Sequence, residues 1–186
     1  MKGCEVNILP RGKSLVSILI LAVILLVGGC SIVTGGTTAA GEGFAIYLTR
    51  DDVPVSRMEA LSHVAIADTP VIGPDDILVY NWRLHDIALT PEAYERIYAM
   101  RPPTNGTSFV VCVDRQPVYW GAFWPMYSSQ SFDGVVIPVC PPISVYNSGI
   151  SIQPGYPGSM AGTSQDDPRD APDVKAALQA AGKLKL

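Results

Sequence analysis

The 186-residue chain has only two histidines and four cysteines, and its 13 basic side chains are outnumbered by 17 acidic ones. Each shortage excludes something. Two histidines leave little room for imidazole-rich metal or acid–base chemistry. The acidic balance excludes a nucleic-acid binder, because contacts to phosphates need a basic footprint. The four cysteines form no CxxC pair, which removes the usual zinc and thiol-redox patterns. GxSxG, HExxH and a glycine-rich phosphate loop are all missing. No cofactor and no metal-ligand set can be read from these residues.

What is present begins with residues 15–27, thirteen residues that are apolar apart from Ser17. Lys2, Arg11 and Lys13 precede them, and Gly28, Gly29 and Cys30 follow. A positive region, an apolar region and a small-residue exit make a secretory signal. Val27-Gly28-Gly29-Cys30 resembles a lipobox, where the chain is cut before the cysteine and the thiol carries a lipid. Leucine is commoner at the position of Val27. The reading is a signal peptide over residues 1–29 with lipid, diacylglyceryl and palmitate, on Cys30. A competing reading takes residues 15–33, nineteen residues without a charge, as a single membrane-spanning helix with a structural role. Either way the main domain lies on the extracytoplasmic face.

Removal of residues 1–29 takes away three basic and one acidic side chain, leaving ten against sixteen and a net charge of −6. Residues 31–43 are small, glycine-rich and nearly uncharged, a flexible tether. Residues 44–152 then form one domain. FAIYLT from Phe44 reads as an interior strand, and Ser56 with Glu59 has capping-box spacing for a short helix over 57–62. HVAIA from His63 is a short strand, and Asp75-Asp76 a turn. Residues 77–89 alternate as a strand whose phase shifts at Asp86. Thr90-Pro91-Glu92 is a helix start, and the helix runs from Pro91 to Met100. SFVVCV and VYWGAFW pair as a hairpin across Asp114–Pro117, with Gly121 at a bulge or close backbone approach. A short strand from Val135 ends at Cys140-Pro141-Pro142. The fold class is α+β: a small two-layer domain, a mostly antiparallel sheet with one main helix, Pro91 to Met100, on one face. Residues 153–186 are rich in Pro, Gly and Ser and read as a largely disordered tail, and VKAALQAA within it is too short to be a stable helix alone.

Three stretches carry a resemblance. The first holds Asp76-Ile77, Tyr80-Asn81-Trp82, His85 and Leu89-Thr90-Pro91-Glu92-Ala93. The second is Phe109-Val110-Val111 with Asp114. The third holds Tyr119, Gly121-Ala122-Phe123-Trp124, Ser131-Phe132-Asp133-Gly134 and Val136-Ile137. Together they resemble a family of uncharacterised exported prokaryotic proteins, many of them lipoproteins, in which an acidic residue is usual at the place of Asn81. The resemblance implies export and fold, and carries no catalytic residue. The layout also resembles, as fold analogy alone, the exported head domain of protein-export accessory subunits.

For function, two classes compete. Tyr119, Trp120 and Trp124 lie in a dense aromatic run that would suit a ledge for an envelope protein, a peptide or a glycan. That makes the chain a membrane-anchored, non-catalytic interaction module, held to membrane lipid through Cys30. The second class is a small hydrolase or metal-dependent enzyme, with His85 as base beside Asp86 or Asp133. Asp114 and Asp133 also sit where turns favour Asp. Because no spacing assembles a catalytic set, the expectation is that the chain is not an enzyme. Cys112 and Cys140, a pair in an exported domain, are expected to form a disulfide if their strands are neighbours.

Overall fold

A computed structural model describes residues 42–58, 61–139, 149–158 and 167–186, all within one compact unit, Ala40–Leu186. The α+β class holds, but the strands divide into two four-stranded sheets. The first has the order β1 (Phe44–Leu48), β4 (Thr107–Val113), β5 (Gln116–Pro125), β6 (Val135–Val139). The second has β7 (Gly149–Ser151), β3 (Asp86–Leu89), β2 (Ile77–Asn81), β8 (Leu184–Lys185). Pairing is antiparallel except for β5 with β6 and β2 with β8.

The expected hairpin is β4–β5. Its turn places Asp114 and Arg115 at φ +51° and +63°, the left-handed pair that matches the twist of two antiparallel strands. The Asp114 carboxylate accepts the Gly43 N–H at 2.7 Å, which ties the turn to the start of β1. Gly121 marks a close approach. A Cβ there would lie 2.5 Å from both the Phe109 ring and the Val135 carbonyl oxygen.

Alternation gives the first sheet two apolar faces. Its inner face, with Phe44, Ile46, Phe109, Val111, Tyr119 and Phe123, packs against Ile77, Tyr80, Ile87 and Leu89 of the second sheet. Helices α1 (Pro91–Ala99) and α2 (Pro172–Ala180) add Ala93, Ile97, Val174 and Leu178 to this core. Each large apolar side chain so buried contributes about 1.5–3 kcal/mol. The outer face, with Ala45, Tyr47, Val110, Cys112 and Trp124, is covered by Val55, Met58, Phe132 and Tyr156.

Several expectations change. The helix over 57–62 is replaced by two 3-10 turns, Val55–Arg57 and Leu61–His63, and HVAIA supplies one bridge, Thr49 with Ile66. The strand over 77–89 folds back on itself as β2 and β3, because the Asn81 side chain accepts the N–H groups of Arg83 and Leu84 and starts a turn. The described residues of the stretch read as a tail are placed on the domain: Gln153 and Tyr156 bridge to Val136 and Phe132, α2 buries Val174 and Leu178, and β8 pairs with β2. Apolar contacts from a distant part of the chain supply what nine residues lack alone.

The expected disulfide is not seen among the described residues. Cys112 carries a free, buried thiol, and burial pushes its pKa up to about 11. It pairs with Pro117, whereas Val139 pairs with Pro125. Eight residues along β5 set Cys112 and Val139 roughly 26 Å apart. Cys140, one peptide beyond Val139, lies outside the described residues, as do the signal region, the lipobox with Cys30, and the tether through residue 41. Among the described residues, no helix is long and apolar enough to cross a membrane.

Candidate metal centre

The β2–β3 turn presents His85. The residue sits at φ +52°, and its carbonyl accepts the Ile152 N–H at 2.9 Å, which ties the turn to the residue just after β7. The imidazole is buried between aromatic edges, with the Trp82 and Tyr80 rings 5.6 and 6.1 Å away. Its Nδ1 lies 3.0 Å from the Tyr80 hydroxyl. Burial raises the Tyr80 pKa, so that hydroxyl stays neutral.

The other half of the site comes from the segment just before α2. Asp167 caps a 3-10 turn, Pro168–Asp170, by accepting the Arg169 N–H at 3.0 Å. The Arg169 guanidinium folds back on the Asp167 carboxylate through Nε and Nη2, and its Nη1 donates to the Ile152 carbonyl at 2.8 Å. This arginine therefore fastens the turn to Ile152, the residue whose N–H also holds the His85 carbonyl. Asp170 then faces the ring, with Oδ1 3.6 Å from His85 Nε2.

One ligand atom each from His85, Asp167 and Asp170 lies within 4.8 Å of the others. A tetrahedral ion with ligands near 2.1 Å spaces them by about 3.4 Å, so a contraction of up to about 1.4 Å closes the cluster on an ion. The protonation states suit it. Burial, reinforced by the Arg169 charge, lowers the His85 pKa against the opposing pull of the carboxylates. Hydrogen bonds from Arg169 lower the Asp167 pKa against the effect of burial. A neutral imidazole and an ionised carboxylate are the forms a metal takes. In the tautomer that carries its proton on Nδ1, that N–H points to the Tyr80 oxygen and Nε2 keeps its lone pair toward the carboxylates, the outer-shell arrangement typical of metal-binding histidine. The Asp170 side chain is 60% exposed against 8% for His85, so the site opens to solvent on one side.

Of the residues singled out in the sequence, His85 is in the cluster. Asp86 opens β3 and contributes only a carboxylate charge felt by His85 and Tyr80. Asp133 is exposed in the turn before β6 and is not brought to His85. The aromatic ledge does not form. Tyr119 is buried on the inner face and Trp124 on the outer, where it stacks on Phe132 with ring centroids 5.3 Å apart. Trp120 is half-buried against the same ring at 6.0 Å. Of the three aromatics that motivated a non-catalytic interaction module, Tyr119 and Trp124 are core and Trp120 keeps only part of its surface. Two further expectations are corrected by the His85, Asp167 and Asp170 cluster: that the chain holds no metal-ligand set, and that it is not an enzyme. Asp167 and Asp170 were missed because they lie in the stretch read as a tail. Asp167-Pro168 nevertheless repeats the cap-then-proline signal that marked Thr90-Pro91.

Comparisons of the chain with protein-family models, with curated proteins and with solved structures find no match.

Proposed function

We propose that this protein is a small metal-dependent enzyme of hydrolytic type, its divalent ion held by His85 Nε2 and the carboxylates of Asp167 and Asp170. The observation that carries this reading is the convergence of those three ligand atoms within 4.8 Å, on a buried imidazole and an open carboxylate. A mixed nitrogen and oxygen donor set suits zinc, manganese or cobalt more than calcium or magnesium. Three protein ligands leave a position for water, which an ion of this kind activates near neutral pH. Arg169 offsets the charge of Asp167 and keeps the turn in place; Tyr80 orients the imidazole.

Titration calorimetry of the metal-free chain with Zn(II) and with Mn(II) tests the reading. The expected result is one equivalent bound by one of the two, weakened at least about tenfold by His85→Ala and by Asp170→Asn. Ester, phosphoester and peptide substrates are then assayed with the bound ion. No saturable binding, or equal binding by His85→Ala, would overturn the centre. Binding without turnover of any of these substrates would remove the hydrolytic assignment and leave a metal-binding protein. We place the domain outside the membrane on a lipid-modified Cys30, on the strength of residues 15–30. The mass of the processed N-terminus tests that placement.

A further inference from the structure

We propose that the metal centre acts on an anionic substrate, an ester of phosphate, whose charge is shared between the ion and Lys175. The inference rests on the metal centre proposed above and narrows its substrate class.

Three carboxylates, Asp86, Asp167 and Asp170, and one guanidinium, Arg169, act on the imidazole of His85. With that imidazole neutral, the four leave two negative charges, which a divalent ion cancels. Arg169 is already engaged by Asp167 and by the Ile152 carbonyl. Lys175 is the charge left over. It lies in α2 and makes no ion pair among the described residues. Its ammonium sits 5.3 Å from the centre of the Trp82 ring, and that ring lies 5.6 Å from the imidazole. The attraction of a cation to an aromatic face holds the ammonium there. Lys175 is thus one aromatic ring away from the centre, and the loaded site with its lysine carries a net positive charge, which gathers anions.

All parts of this arrangement meet solvent. Lys175 and Trp82 are half-buried, and the Asp170 side chain is open. A tetrahedral phosphate presents several oxygens, so one meets the ion while another meets the ammonium. A neutral ester or a peptide uses the first contact and leaves the second unmet. The organic part of the ester has a place as well. Lys175 lines a cleft of about 230 Å³ with Gln179, Gly182, Leu184 and Leu186. The two leucines favour a short apolar group there over a second charged one.

The test uses the full chain loaded with one equivalent of whichever ion it binds, Zn(II) or Mn(II). Inorganic phosphate is the probe, followed by calorimetry and by Trp82 fluorescence with Trp82→Phe as the blank. Saturable binding is expected in the loaded chain and not in the metal-free chain, where the centre and Lys175 together keep a negative charge. Lys175→Gln should weaken phosphate about tenfold, the worth of one hydrogen bond between charged groups. Removing one cation does not weaken the binding of another, so this variant should hold the metal at least as tightly; a misfolded variant would lose both. Lys175→Arg should recover most of the phosphate affinity. Butyl phosphate should be hydrolysed by the loaded chain, and about tenfold less well by Lys175→Gln below saturation. No phosphate binding to the loaded chain, equal binding by Lys175→Gln, or no hydrolysis of butyl phosphate would each overturn the assignment and leave the metal centre standing. Failure of the wild-type chain to bind either ion would instead remove the centre, and this substrate with it.

Discussion

The two helices are the same length, nine residues, and each begins with proline, yet different forces hold them. Helix α1 carries its own start signals. Thr90 accepts the Ala93 N–H at 3.3 Å, Glu92 lies in the first turn, and Arg96 reaches Asp76 at 2.7 Å and the Val71 carbonyl at 3.2 Å. Helix α2 follows Ala171, which offers no side-chain cap. It is held by Val174 and Leu178 in the core, by Lys183 donating to the carbonyls of Pro74 and Ile77, and by the β8–β2 pairing just after it. A helix can thus be written locally or be imposed by what it docks on. The metal centre depends on the second kind, since Asp167 and Asp170 arrive with the segment that α2 anchors.

The largest expected effect tests that dependence. Leu178→Ala should cost about 2–5 kcal/mol by urea denaturation, the usual range for a buried leucine. It should weaken metal binding at His85 in the same samples. Ile97→Ala in α1, equally buried, should cost as much and leave metal affinity unchanged. If Ile97→Ala weakens the metal as much as Leu178→Ala does, the two helices are not separable in this way.

Removing the local code should cost less. Thr90→Ala should lose about 1 kcal/mol, the typical worth of an N-cap, again by urea denaturation. A loss under about 0.3 kcal/mol would mean that packing, and not capping, holds α1 as well.

Acid should separate the two regions in the metal-free chain. The His85 pKa is lowered from 6.5 by burial, so the folded imidazole resists a proton that the unfolded chain accepts. Stability from this group is complete above pH 6.5 and is lost as pH falls below 6.5 through the depressed folded value. Hydrogen exchange should therefore show amides of residues 167–186 losing protection on acidification before those of α1. A His85→Asn chain should lose that difference. Equal loss of protection in both regions of the wild type would count against His85 as the link.

The smallest effect comes from writing a cap into α2. Ala171 has φ −53° and ψ 125°, an extended backbone suited to a capping side chain. Ala171→Ser should add about 0.5 kcal/mol, measured as a rise in the urea midpoint at constant slope. No gain would show that the proline turn before α2 leaves its first N–H groups no use for a cap.

The sequence by itself determined what rests on neighbours along the chain. The strand periods of β1, β4 and β5, the β4–β5 turn at Asp114 and Arg115 and the cap of α1 all follow from residues a few positions apart. His85 was legible as a candidate for the same reason. Tertiary structure alone decided which carboxylates meet it. Asp86 is adjacent in sequence but starts a strand, whereas Asp167 and Asp170, more than eighty residues on, are brought in because Val174 and Leu178 complete a core that residues 44–152 leave unfilled. It also decided that most of the aromatic run is core. Alternation along β5 was readable from the pattern, but only the second sheet on one side and the Val55–Met58 and Phe132 coverings on the other bury both of its faces. Periodicity reports which side chains share a face; what covers that face is a property of the rest of the chain.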